Sequence, residues 1–138
     1  MDWNESQHNE DKNILQFLYL EGYCQTSTIQ SELFFHLSIQ RTRKRLHDLS
    51  SQKLIAYKEL PTQQGRGAGE RAHFLTEEGL HILGKQGAEI TAYKKFLSRI
   101  PLPKLRHYLL TRQVERKFQK SISQTEYTLQ SWNEFNET

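Results

Sequence analysis

One cysteine, Cys24, is present in 138 residues, so no internal disulfide can form and no cysteine cluster can hold zinc. No run approaches the ~18–20 consecutive apolar residues of a membrane span, and no membrane partner is expected. Met1-Asp2-Trp3-Asn4-Glu5 is acidic and polar and does not read as a secretory signal. Together these features suggest a reducing, cytoplasmic setting. Proline is scarce, at Pro61, Pro101 and Pro103 only, and three of the seven glycines crowd into residues 62–70. Hydrophobic residues are 36% of the chain and aromatics 11%, which excludes wholesale disorder but leaves a modest core.

Basic residues are also missing from particular stretches. Residues 1–37 hold only Lys12 against six acids, and residues 121–138 hold no base at all. The net charge of +3 therefore conceals two basic stretches, 38–73 at net +5 and 74–120 at net +6. Segregation of this kind presents a basic face to something anionic.

The first ten residues read as a flexible N-terminus, and residues 11–99 as one domain. Asp11 can cap a helix from Lys12 to Glu21, with Ile14, Leu15, Leu18 and Tyr19 as its buried stripe and Gly22 as its stop. A short helix, Ser27 to Phe34, follows, with Thr26 or Ser27 as N-cap and Ile29, Leu33 and Phe34 facing inward. Ser38 caps a third helix, Ile39 to Lys53, whose stripe is Ile39, Thr42, Leu46 and Leu49. At ~100° per residue, Gln40, Lys44, His47 and Ser51 lie opposite that stripe, with Arg41 and Asp48 beside them and Arg43 and Arg45 at the edges. Leu54–Leu60 and Arg71–Thr76 read as two strands around the glycine-rich tip, a β-hairpin. Thr76-Glu77-Glu78 opens a further helix, packed by Leu80, Ile82 and Leu83, and residues 88–98 form another. The two prolines at 101 and 103 read as a break before residues 100–138, a C-terminal helical extension. It holds a basic helix from Lys104 to Lys120, with Leu110, Val114 and Phe118 along one side.

Helix, short helix, basic helix and hairpin is the winged helix-turn-helix order. The expected fold class is mainly α with a small β-hairpin, an α+β winged helix-turn-helix with a helical extension. The third helix then has its polar face free for a major groove ~12 Å wide. Gln40, Arg41, Lys44 and His47 are the candidate groove residues. Ser38, Arg43, Arg45, Arg66 and Arg71 are candidates for phosphates or the minor groove. The expected partner is double-stranded DNA, bound by a homodimer across paired half-sites. The alternative is a protein-interaction module on the same scaffold, with Tyr127, Leu129, Trp132 and Phe135 docking a partner.

The runs Leu33-Phe34-Phe35, Arg41-Thr42-Arg43-Lys44-Arg45-Leu46-His47-Asp48-Leu49 and Lys53-Leu54-Ile55 resemble the winged-helix part of the replication-relaxation family of plasmids and mobile elements. His73-Phe74-Leu75-Thr76-Glu77-Glu78-Gly79 is similar to that family's Leu-Thr-x-x-Gly turn. Leu105-Arg106-His107-Tyr108-Leu109-Leu110 resembles its Leu-x-His-x-Leu segment, and Trp132-x-Glu134 is a shorter counterpart of a Trp-x-x-Glu stretch. The resemblance covers residues 11–110 well and the rest loosely. It implies a role in plasmid replication, DNA relaxation or mobilisation, whereas the winged-helix reading by itself implies transcription regulation or a replication or transfer accessory. Longer members carry a further C-terminal domain. This chain stops where that domain would begin, as a short member or a fragment, and the resemblance lends no support to nuclease activity.

No enzyme chemistry is legible. Gly65-Arg66-Gly67-Ala68-Gly69 is not the dinucleotide fingerprint, because it does not open a helix after a strand. The six histidines show no metal-ligand spacing, and no Ser-His-Asp or Cys-His grouping has a local motif. No cofactor or metal is expected. His36 and His73 read as buried histidines with backbone partners, and Cys24 as a packed thiol.

Overall fold

Ile14, Leu15 and Leu18 are fully buried along one side of α1 (Glu5–Glu21), as their helical spacing requires. The computed structural model describes residues 5–60 and 70–136, with side chains at 9–60 and 70–122. The helix begins at Glu5 rather than Lys12, so Asp11 is an interior residue and not a cap. Its carboxylate is buried and lies 3.4 Å from Arg45, a partner on another element. Gly22, at φ 80, ends α1 in the left-handed region that only glycine adopts cheaply.

A two-residue strand, β1 (Cys24–Gln25), follows and was not legible in the sequence. It leads into α2 (Thr26–Leu33) and, after a short turn, α3 (Ile39–Ser51). Gln25 is the N-cap of α2 and makes no capping bond, so neither Thr26 nor Ser27 serves there. Ser38 does cap α3, its Oγ accepting from the Arg41 N–H. Thr42, Leu46 and Leu49 are the buried stripe of α3. Lys53 closes that helix at φ 64, with the Leu54 N–H donating to the Leu49 carbonyl at 3.1 Å.

The hairpin is β2 (Ile55–Glu59) and β3 (Arg71–Leu75). Their antiparallel register runs from Ile55 opposite Leu75 to Glu59 opposite Arg71. On its other side β3 pairs with β1, Cys24 opposite His73, giving a three-stranded sheet in the order β1-β3-β2. Cross-strand partners share a face, so Tyr57 and His73 stand together.

Thr76 caps α4 (Glu77–Ile82), accepting from the Gly79 N–H while its hydroxyl donates to the Lys53 carbonyl at 2.6 Å. Leu80 is buried, whereas Ile82, expected to pack inward, is exposed. In α5 (Ala88–Ser98) Tyr93 is the anchor. Its hydroxyl donates to the Gly22 carbonyl and accepts from the Leu75 N–H, each at 3.1 Å, and its ring stacks on Tyr19. Tyr23 makes the matching bond to the Leu97 carbonyl.

The last element, α6 (Leu102–Asn136), is one helix of 35 residues. The expected break at the prolines is only the gap before it, because Pro103 falls in the first turn, where a missing N–H costs nothing. The aromatic tail belongs to this helix, but the side chains of Tyr127, Leu129, Trp132 and Phe135 lie outside the described residues. The chain divides into two compact units, Met1–Arg106 and His107–Thr138. Helix-turn-helix, hairpin and the supporting helices α4 and α5 all lie in the first, which is a winged helix with α+β architecture. Among the described residues no helix is long and apolar enough to cross a membrane.

Candidate nucleic-acid interface

With Thr42, Leu46 and Leu49 buried, the geometry of α3 fixes its opposite side. Gln40, Arg41, Arg43, Lys44 and His47 are exposed there, and Ser38 is exposed at the helix start. Arg41, Arg43 and Lys44 have no ion-pair partner among the described residues.

Arg45 is different. It was a candidate phosphate contact, but its guanidinium lies 2.8 Å from Glu10 and 3.4 Å from Asp11 and sits over the Phe34 ring. It joins α3 to α1 and is largely spent inside the protein. Arg66 lies outside the described residues.

Arg71, at the start of β3, is exposed and stacks over Tyr57 with its guanidinium 4.2 Å from the ring centroid. Arg71 and Arg43 face a common cleft between α3, the start of α2 and the hairpin, about 470 Å³ in volume. The groove candidate His47 also lines it. So do Thr26 and Ser27, expected only as caps, together with Ser50, Tyr57 and Glu70. The signal for Tyr57 was available, since a period of two along each strand puts Tyr57, Arg71 and His73 on one face of the hairpin.

His73 is a buried lining residue, 4% exposed. Its Nε2 is 2.9 Å from the Thr26 hydroxyl, a side-chain partner rather than the expected backbone one, and its Nδ1 has no partner among the described residues. Burial, reinforced by the charge of Arg71, lowers its pKa to about 4, so the ring is neutral at pH 7. His36, expected to be buried, is exposed in the turn before α3, edge-on to Phe35. Phe35 itself is 81% exposed at that turn. No group of three or more His, Cys, Asp or Glu side chains able to hold a metal occurs among the described residues.

Comparison with protein-family models and with curated proteins finds no match. A solved structure similar to this chain is a double mutant of ZitR from Lactococcus lactis in its apo form. The two are 20% identical, with a TM-score of 0.42 over 87% of this chain and 83% of that one.

Proposed function

We propose that this chain binds double-stranded DNA by laying α3 in the major groove, with the hairpin against the backbone or minor groove. It acts by occupying a site and not by catalysis. The observation that carries this reading is the set Arg41, Arg43 and Lys44, exposed on α3 and without an ion-pair partner among the described residues. Arg45, on the same helix, is instead ion-paired to α1. Gln40, Arg41, Lys44 and His47 then meet base edges, and Ser38, Arg43 and Arg71 meet phosphates. The role is that of a transcriptional regulator, or of an accessory to replication or transfer of a mobile element. The second alternative rests on the resemblance to the replication-relaxation family alone.

The protein binds as a homodimer on this reading. Leu110, Val114 and Phe118 step by four along α6 and are 55%, 66% and 65% exposed, an apolar ridge that a second copy can cover. A partner protein docked on the aromatic tail is the competing reading, and light scattering of the purified chain separates the two.

The deciding experiment is a mobility shift with duplexes selected from a random pool. Arg41→Ala combined with Lys44→Ala should abolish the shift at ~100 mM salt, where phosphate and base contacts both matter. Retained affinity in that double variant overturns the assignment of α3.

A further inference from the structure

Among the described residues Phe35 is the most exposed large hydrophobic side chain, at 81%. A lone apolar residue on a surface is ordinary, but this one stands at the tip of a turn tied down on both sides. The Phe34 N–H donates to the Gln30 carbonyl at 2.8 Å, and the Leu37 N–H donates to the Phe34 carbonyl at 2.9 Å. The second bond closes a β-turn with Phe35 and His36 as its central residues. The Gln30 side-chain amide donates to the Leu37 carbonyl at 2.9 Å and fastens the turn to α2. Phe34 is buried and anchors the backbone one residue earlier. Phe35 is thereby held outward, with the exposed His36 ring edge-on at 5.5 Å. A side chain fixed in this way loses little freedom when something covers it.

The turn runs directly into α3, because Leu37 is followed by the N-cap Ser38. In helix-turn-helix proteins the N-terminal residues of the second helix contact base edges. Gln40 and Arg41, exposed in the first turn of α3, are the residues assigned to that contact. With α3 in the groove, the tip of the preceding turn comes to the same stretch of duplex. A phenyl ring has neither charge nor donor to offer a phosphate, and it gains by covering an apolar group. On the major-groove edges of the bases the apolar group is the 5-methyl of thymine.

We infer that Phe35 reads a thymine, packing its ring on the 5-methyl group where the start of α3 meets the duplex. The inference rests on the DNA-binding reading and adds an apolar contact to the polar set Gln40, Arg41, Lys44 and His47. It makes the turn, and not α3 alone, a determinant of sequence preference.

The test uses the full chain and a duplex selected from a random pool, with binding read by anisotropy at ~100 mM salt. Each thymine of the site is replaced in turn by deoxyuridine, which removes the 5-methyl and nothing else. Wild type should lose about fourfold in affinity at one position per half-site, the effect of leaving one methyl group uncovered. Phe35→Ala should bind the thymine duplex at least that much more weakly than wild type does, and should be indifferent to deoxyuridine at that position. Phe35→Leu, which keeps an apolar contact, should retain the sensitivity. Both changes fall on an exposed side chain in a turn held by backbone groups and Gln30, so thermal midpoints should stay at the wild-type value.

A selected site without thymine, or one in which no thymine is sensitive to deoxyuridine, overturns the assignment of Phe35 and leaves the DNA-binding reading standing. So does a Phe35→Ala variant as sensitive to deoxyuridine as wild type. A change in the mass of the free chain on Phe35→Ala, measured by light scattering, places the ring in a protein interface and overturns the assignment as well. Failure of the wild type to bind any duplex overturns this assignment and the DNA-binding reading together.

Discussion

At the scale of single residues, protonation of His73 works against the fold. The ring is buried beside Arg71, and both burial and that charge oppose a second positive charge, holding its pKa near 4 where the ordinary value is 6.5. In the unfolded chain the ring titrates at its ordinary value, so as pH falls the unfolded state takes up the proton first. Stability is therefore constant with respect to this group above pH ~6.5. It is lost progressively down to pH ~4, by about 3 kcal/mol in all. Urea midpoints at several pH values across that window should show the decline in the wild type. His73→Gln should flatten it, and a wild-type profile no steeper than that of the variant would remove His73 as the cause. Arg45 shows a second residue-scale effect. Its neighbours Arg43 and Lys44 are of like charge and one or two positions away, but only Arg45 finds Glu10 and Asp11 across the packing with α1. Sequence spacing put all three on the binding surface, because nothing local reveals which acid another helix will supply.

At the scale of elements, the joint between hairpin and α4 is fixed by one missing side chain. A Cβ built on Gly79 would lie 2.2 Å from the Leu54 carbonyl oxygen, which is backbone and cannot rotate away. The first turn of α4 can approach β2 this closely only with glycine at that position, and the Thr76 bonds to Gly79 and Lys53 hold it there. Gly79→Ala should therefore destabilise the protein by about 2–4 kcal/mol, despite the better helix propensity of alanine. A thermal midpoint within a degree or two of wild type would show that the joint can open at no cost. Elements with a strong period were legible beforehand. The α3 stripe, the Ser38 and Thr76 caps and the two hairpin strands all follow from spacing and turn chemistry. Elements defined by a tertiary partner were not. With two residues, β1 has no pattern of its own and exists because β3 offers a free edge. The start of α1 carries no apolar stripe, so the sequence signal began only at Ile14. The prolines marked a boundary correctly but hid the length of α6, since a proline in a first turn does not oppose the helix that follows.

At the scale of the whole molecule, the decisive quantity is how many of the 19 basic side chains reach phosphates. A net charge of +3 would favour only weak, diffuse attraction, but the described bases differ sharply in how they are engaged. Arg45 is ion-paired to α1, and Lys94 is paired to Glu77. Arg41, Arg43 and Lys44 are not paired among the described residues. Salt dependence counts the bases that are in use, because each phosphate neutralised releases counterions and contributes about −0.9 to the slope of log K against log salt. Lys44→Ala should make that slope shallower by about 0.9 if its ammonium meets a phosphate, and should instead relax sequence preference at one position if it meets a base edge. Arg43→Ala, assigned to a phosphate, should reduce the slope for every duplex sequence alike. Arg45→Ala should leave the slope unchanged while lowering stability, because its charge is already matched by Glu10 and Asp11. Anisotropy titrations between ~50 and ~200 mM salt resolve a change of this size. If Arg45→Ala alters the slope as much as Arg43→Ala does, the ion pair with α1 opens on binding, and the face that meets DNA is wider than the outer side of α3.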